Sequence, residues 1–276
     1  MQNMHFGFRT FIPSVLFLLG SFCTGFSQNS DSLAFLEHQL LRDYSKIMEI
    51  PAGKRVESSE TFYNEFISCL NIPESFEYPF DTLQNIGKIY SPDHRIRIYT
   101  WNIPAGIYEN MYYGVVQFYS SEQEKYNIVP LNKTDSLYKG NPLKMWEGSL
   151  YYKIVETKHA GQKYYTLLGF DLNSILSNKK TIDVIAIDDF DDLYFCEKLL
   201  QYEGLMVDRI VFEYNEKAMM SMQYNEDLKM IVFDHLSPSK PSLNGQYEFY
   251  GPDFTYDGLK WEKGIWMFYS NIDITN

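Results

Sequence analysis

Basic residues are scarce in this chain. Its 276 residues include 24 Lys and Arg against 36 Asp and Glu, which gives a formal net charge of -12. No cluster of Lys and Arg offsets this excess along the sequence. Because nucleic-acid binding depends on positive charge that neutralises phosphates, the composition argues against a nucleic-acid partner. The same excess of negative charge argues against binding to an anionic membrane surface.

Cysteine is also rare. The chain has Cys23, Cys69 and Cys196, and the first lies in the N-terminal segment described below. Two cysteines in an oxidising compartment either pair or stay buried as free thiols, and Cys69 and Cys196 are far apart in the sequence. Because free cysteine is among the most buried residue types, we predict two buried thiols.

Established catalytic motifs are missing. The five His residues show no His-x-His or His-x-x-x-His spacing, and there is no Gly-x-Ser-x-Gly sequence and no P-loop. These absences argue against a zinc site of the usual spacing, a nucleophile elbow and an NTPase. We predict no cofactor, with Ca²⁺ as the alternative developed below.

The first 27 residues have the pattern of a secretory signal peptide. Arg9 gives a positive start, residues 11–19 form an apolar run, and Gly25 and Ser27 place small residues before Gln28. This pattern predicts cleavage after Ser27 and export to the periplasm or beyond the cell, with outer-membrane association as a variant. A spanning helix needs about 20 apolar residues, which this run lacks. No second long apolar run follows, so we predict no transmembrane segment in the mature chain.

Hydrophobic periodicity divides the rest of the chain into a helical part and a β part. Apolar residues recur every three or four positions over 32–49, with Asp31 or Ser30 as the predicted cap, and again from about Ser59 towards Pro73. From residue 87 the pattern alternates as in strands, with predicted strands at 95–99, 111–119, 149–157, 163–170 and 182–187. The run at 182–187 is nearly all apolar, which indicates burial on both faces.

Further strands are predicted towards the C-terminus, as a meander over 209–214, 218–224 and 228–233 and as late strands at 245–250 and 264–269. The sequence therefore predicts an α+β, mainly β fold. Two amphipathic helices within residues 28–86 pack on an antiparallel β-meander sheet or sandwich formed by residues 87–276.

Four carboxylates directly follow the predicted strand at 182–187. They are Asp188, Asp189, Asp191 and Asp192, with Phe190 between them. Clustered oxygen ligands at a strand end suit Ca²⁺, although the EF-hand spacing and its central glycine are missing. The alternative is a solvated acidic turn.

Aromatic residues alternate with carboxylates near the C-terminus, over residues 249–258. Sugar sites use this combination, because rings stack on apolar sugar faces while carboxylates accept hydroxyl protons. The candidate ligand-binding residues are Tyr250, Tyr256, Trp261 and Trp266, and the candidate catalytic residues are Asp253 and Asp257. The alternative is a pair of tight turns, Gly-Pro-Asp and Asp-Gly, between strands whose aromatic residues fill the core.

A short pattern of Asp, a hydroxyl residue and Leu occurs three times, with Ser32, Thr82 and Ser136 as its hydroxyl residues. It resembles the O-glycosylation sequence of exported Bacteroidota proteins, and the resemblance implies sugars on these three hydroxyls. Asp-Ser and Asp-Thr also begin helices as caps, so the pattern has a second interpretation.

The leading functional hypothesis is an exported non-enzymatic protein that binds an envelope protein or a glycan. It follows from the missing catalytic motifs together with the 23 Tyr and four Trp residues, which suit recognition surfaces. The first alternative is a carboxylate-based hydrolase acting on glycans, which requires two carboxyl groups about 5 to 9.5 Å apart across a cleft. The second alternative is a Ca²⁺-stabilised module.

Overall fold

The computed structural model describes residues 23–107, 109–120, 122–131 and 146–274. Residues 1–22 of the predicted signal peptide and Ser136 of the predicted glycosylation set lie outside the described residues. The described residues form two N-terminal helices followed by antiparallel sheets. This architecture confirms the predicted α+β, mainly β class.

The two helices are confirmed, and both begin earlier than the sequence predicts. Helix α1 spans Cys23–Glu49 and helix α2 spans Val56–Leu70. Helix α1 begins before the predicted cap at Asp31 or Ser30, because a helix continues through such residues when their side chains face solvent, as that of Asp31 does. The buried side chains of the pair follow the predicted spacing: Leu33, Leu40, Tyr44 and Ile47 on α1, and Phe62, Phe66 and Leu70 on α2.

The strands follow in chain order. The first four are β1 Gly87–Tyr90, β2 Ile96–Pro104, β3 Asn110–Ser120 and β4 Lys125–Pro130. The next four are β5 Leu150–His159, β6 Gln162–Asp171, β7 Ser177–Ile187 and β8 Leu193–Phe195. The last seven are β9 Leu200–Tyr202, β10 Leu205–Val207, β11 Ile210–Asn215, β12 Met222–Asn225, β13 Met230–Pro238, β14 Tyr250–Glu262 and β15 Ile265–Tyr269.

These strands form three sheets. The first sheet has the order β1-β2-β3-β4, and the second has the order β11-β7-β6-β5 with β8 beside β7. The third sheet has the order β10-β9-β15-β14-β13-β12. Neighbouring strands are antiparallel except β9 and β15, which run parallel.

The helices and sheets stack in layers with an apolar core between each pair of layers. Along β2, Tyr99 and Trp101 pack against the helices, whereas Ile96 and Ile98 pack against the second sheet. Strand β7 uses the same alternation and directs Ile185 to the first sheet and the residues on either side of it to the third sheet. The middle sheet is therefore buried on both faces, as the apolar run at 182–187 predicts.

Three predictions about local structure are wrong. The meander over 209–233 is divided, because β11 pairs with β7 in the second sheet while β12 pairs with β13 in the third. The strand predicted at 245–250 is replaced in part by a 3-10 turn at Tyr247–Phe249. The tight turns predicted around Gly251 and Gly258 are absent, since both residues lie within the long strand β14 and pair with β13.

Candidate functional site

The pairing of β13 with β14 is interrupted by a β-bulge. Asp234 pairs with Tyr256, but Leu236 pairs with Pro252, so the single residue His235 faces three residues of β14. Those three residues are Asp253, Phe254 and Thr255. Bulges redirect side chains and are frequent beside functional sites, so the groups that surround this one form the candidate site.

Phe254 is the most unusual residue of the bulge. Its φ is +71°, in the left-handed region that bulky residues rarely adopt, and its side chain is 92% exposed. The Asp253 carboxylate braces the bulge, because its Oδ1 accepts hydrogen bonds from the Thr255 backbone N–H at 3.1 Å and from the Thr255 hydroxyl at 2.7 Å. The fold thus holds an aromatic ring in water at a backbone conformation that glycine would adopt without strain.

His235 and Asp257 form a close pair next to the bulge. The distance from His235 Nδ1 to Asp257 Oδ2 is 2.7 Å, and Asp257 Oδ1 accepts the Asn271 backbone N–H at 2.9 Å. An ionised carboxylate only accepts hydrogen bonds, so His235 Nδ1 carries a proton. Asp257 is buried because it pairs across the sheet with Phe233, which belongs to the core.

The charges around His235 are mainly negative. Its Nε2 lies 4.0 Å from Asp253 Oδ2, too far for a hydrogen bond, and its side chain is 42% exposed. The hydrogen bond to Asp257 raises the pKa of His235, and burial only partly opposes this. Burial by itself raises the pKa of Asp253. The hydrogen bonds from Thr255 outweigh this effect, so the pKa of this carboxyl is lowered. Glu203, in the β9–β10 turn, is a third acid that favours the imidazolium form.

A groove of about 480 Å³ begins next to the bulge. Tyr250, Gly251 and Pro252 of β14 line one side, and the end of β13 lines another. The hydroxyl of Tyr250 donates to Asn244 Oδ1 at 2.7 Å and accepts the Gly245 N–H at 3.0 Å, so the ring is fixed in place. Tyr250, one of the predicted ligand-binding aromatic residues, therefore lies beside an open space near the bulge.

The structure brings Asp253 and Asp257 together but separates the two predicted tryptophans from them. Trp266 is 0% exposed and its indole N–H donates to Thr166 Oγ1 at 2.8 Å, so its ring offers no surface to a ligand. Trp261 is half-buried and packs against Trp266 and Tyr164. Both rings contribute to the core between the second and third sheets.

Tyr256 is half-buried and lies just after the bulge, opposite Asp234. Its backbone carbonyl accepts the Ile272 N–H at 2.8 Å, which fastens the C-terminal segment to β14. Its position next to Asp257 on the strand puts it at the border of the site.

Two carboxylates of the acidic loop at 188–192, those of Asp188 and Asp191, bind different partners. Asp188 Oδ1 accepts the backbone N–H groups of Phe190 and Asp192 and so closes its own turn. Asp191 contacts Ser120 by a hydrogen bond and Arg95 by an ion pair of 3.5 Å. Asp189 lines an adjoining polar cavity of about 360 Å³. Within the described residues, no three His, Cys, Asp or Glu side chains are placed to hold a metal ion.

The hydroxyls of the proposed glycosylation set differ in accessibility. Ser32 is exposed on α1. Thr82 Oγ1 is buried, and the Thr82 backbone N–H donates to Glu37 Oε1 at 2.7 Å. A sugar on Thr82 therefore requires attachment before this part of the chain has folded.

Sequence reasoning missed His235 and Phe254. Phe254 lies within the aromatic and acidic run at 249–258, but nothing in that run separates an exposed ring from a core ring. His235 is distant from Asp257 in sequence, and only the pairing of β13 with β14 brings the two together. Residues 230–233 of β13 are all apolar and buried, so no alternation in the sequence marks the face on which His235 lies.

Comparison with known proteins returned no match: no protein-family model, curated protein or solved structure is similar to this chain. None of the helices among the described residues has the length and apolar character needed to cross a membrane. The site must therefore be interpreted from its own geometry.

Proposed function

We propose that the protein is an exported, non-enzymatic binding module that recognises a glycan at the bulge of β14. The observation that carries the proposal is Phe254, a ring that is 92% exposed at a φ of +71°. Backbone strain of this kind costs about 1–3 kcal/mol and persists where the surrounding structure enforces it, commonly at ligand sites.

The groups beside the ring fit a sugar. A sugar offers an apolar face that stacks on an aromatic ring and hydroxyls that donate hydrogen bonds to carboxylates. Phe254 provides the ring and the partly exposed Asp253 provides an acceptor. The fixed ring of Tyr250 lies at the start of the same strand. Two aromatic rings on one strand suit an oligosaccharide longer than a single sugar unit.

The proposal is tested by measuring binding of the wild type and two variants to a panel of immobilised neutral, acidic and amino-bearing oligosaccharides. We expect Phe254→Ala to weaken binding about tenfold or more, since a fully buried Phe side chain contributes about 1.5–3 kcal/mol. Phe190→Ala is the matched control, because Phe190 is 80% exposed on a different loop. Failure of the wild type to bind any member of the panel, or equal binding by both variants, would refute the proposal.

A carboxylate-based hydrolase acting on glycans is the second candidate, and the convergence of Asp253 and Asp257 on His235 favours it. The arrangement differs from that of known glycosidases, because an imidazole occupies the space between the two carboxyl groups and Asp257 is 3% exposed. Release of shorter sugars from the same panel, abolished by Asp253→Asn, would support this candidate over the binding module.

A further inference from the structure

The bulge of β14 leaves a gap between two polar side chains. His235 Nε2 lies 4.0 Å from Asp253 Oδ2, and the two side chains are 42% and 34% exposed. A direct hydrogen bond does not span this distance. An oxygen atom placed between the two atoms can lie about 2.8 Å from each, which is a normal hydrogen-bond length. The gap therefore has the size of a single hydroxyl group and is open to solvent.

The other contacts of the two side chains decide which atom donates and which accepts. His235 Nδ1 lies 2.7 Å from Asp257 Oδ2 and carries a proton for that contact. Its Nε2 is therefore an acceptor in the neutral imidazole and becomes a donor when the ring is protonated. Asp253 Oδ1 accepts two hydrogen bonds from Thr255, and Oδ2 is the oxygen that lies 4.0 Å from Nε2. With the imidazolium present, a donor and an acceptor thus border the gap.

We propose that His235 and Asp253 together recognise one hydroxyl of a neutral sugar, with Nε2–H donating to the hydroxyl oxygen and Asp253 Oδ2 accepting the hydroxyl proton. This role rests on the glycan binding proposed above, and it names the class of glycan. A hydroxyl accepts and donates, so it satisfies both side chains at once. An ammonium group only donates and would meet the imidazolium, whereas a carboxylate only accepts and would meet Asp253. The pair therefore selects against charged sugars of either sign.

The groups packed around His235 favour its imidazolium form. The charged groups that act on it most are acids, namely Asp257, Asp253 and Glu203. Tyr202 of β9 is a neutral phenol, because burial raises its pKa. On β13 itself, the Asp234 carboxylate accepts the Ser221 N–H at 2.7 Å, and the C-terminal segment contributes the Asn271 N–H to Asp257 at 2.9 Å.

Binding of the hydroxyl therefore depends on pH. The imidazolium is the main form below the ordinary histidine pKa of about 6.5, and it persists above that value because the folded-state pKa of His235 is raised. Once Nε2 has lost its proton, Nε2 and Asp253 Oδ2 are both acceptors, and one hydroxyl proton satisfies only one of them. The gap keeps its size but loses its donor, so affinity falls as pH rises through the folded-state pKa.

The test measures binding of neutral, amino-bearing and acidic oligosaccharides of matched length at pH values of about 6 and about 9. At the lower pH we expect the wild type to bind neutral members best. At the higher pH it should lose about tenfold or more of that affinity, the effect of one hydrogen bond from a charged donor. His235→Gln should bind neutral members with the same affinity at both pH values. His38→Gln, on the exposed face of α1, is the matched control and should keep the wild-type pH dependence.

The outcomes separate this role of His235 from glycan binding itself. Equal wild-type affinity for neutral members at both pH values would overturn the role and leave glycan binding intact. A pH dependence that His235→Gln retains would also overturn it, as would a wild-type preference at the lower pH for amino-bearing or acidic members. Absence of binding to every member at both pH values would refute glycan binding as well. Circular dichroism at both pH values confirms folding, and the wild-type comparison decides alone if His235→Gln does not fold.

Discussion

Phe254 holds two unfavourable features together, a ring in water and a backbone conformation suited to glycine. The bulge enforces both, because Asp253 and Thr255 are fastened to each other on either side of the ring. The backbone conformation that phenylalanine favours differs from the one observed at this residue. Such a disagreement is expected where function opposes stability. Phe254 therefore links the stability of the fold to the proposed binding.

We predict that Phe254→Gly stabilises the protein by about 1 kcal/mol and removes glycan binding, because glycine adopts a positive φ at no steric cost. The measurement is the free energy of unfolding from denaturant titration, set beside the binding assay. The control is Phe190→Gly, which changes an exposed Phe whose φ is not positive and should destabilise by up to about 1 kcal/mol. Destabilisation by Phe254→Gly would contradict the interpretation of strain.

His235 gives the site a dependence on pH whose sign follows from its raised pKa. The interaction of the imidazolium with Asp257 stabilises the fold fully below the unfolded-state pKa of about 6.5 and is lost as pH rises through the higher folded-state pKa. We therefore expect the stability advantage of the wild type over His235→Gln to shrink as pH increases from about 6 to about 9. An advantage that grows over this range would show that His235 is held neutral. Denaturant titrations of both proteins in matched buffers measure this difference in the free energy of unfolding.

At the scale of elements, buried Arg97 on β2 joins the helical part to the first sheet. Its guanidinium donates hydrogen bonds to the backbone carbonyls of Ser75, Phe76 and Tyr78 at 3.0, 2.7 and 2.6 Å. It also lies over the Tyr90 ring, 4.6 Å from the ring centre. The segment between α2 and β1 therefore depends on one side chain for several of its buried acceptors.

Arg97→Met should lower the free energy of unfolding by at least about 3 kcal/mol, because each buried acceptor left without a partner costs about 1–3 kcal/mol. Arg42→Met on the exposed face of α1 is the control and should change stability by no more than about 0.5 kcal/mol. Chemical denaturation of both variants gives the comparison. Equal effects would mean that water replaces the guanidinium at these carbonyls.

Elements whose identity depends on local pattern were predictable, and elements whose identity depends on distant partners were not. The helical spacing and the apolar run at 182–187 needed only their own residues to be recognised. Strand β11 could not be assigned, because its alternation is compatible with either neighbour and the pairing with β7 is decided by packing. The β14 run contains Gly251, Pro252 and Gly258, which indicate turns locally, yet pairing with β13 keeps it extended.

At the scale of the whole molecule, layering explains why the candidate site was only partly visible in the sequence. Each layer buries aromatic side chains, so an aromatic residue is a weak indicator of a ligand site in this protein. Trp266 fills a core, whereas Phe254, twelve residues earlier in the same hairpin, lies in solvent. The distinction is set by the bulge, which is a property of two paired strands.

Layering also determines the state of Cys69 and Cys196. Cys69 lies in the core between the helices and the first sheet, and Cys196 lies in the core between the second and third sheets. Both are free and buried, as predicted from the sequence. Burial raises the pKa of Cys69 to about 12, so its reactive thiolate form is almost absent at neutral pH.

We therefore predict that neither Cys69 nor Cys196 reacts with a maleimide in the native protein, even without a reducing agent. Both should react once denaturant exposes the cores, and mass spectrometry of the labelled peptides counts each site. The free energy of unfolding should be the same with and without reductant, because no disulfide restricts the unfolded chain. A pair that resists labelling in denaturant until reductant is added would be a disulfide. That result would require the Cα atoms of Cys69 on α2 and Cys196 beside β7 to lie within about 7 Å of each other, which the intervening first sheet prevents.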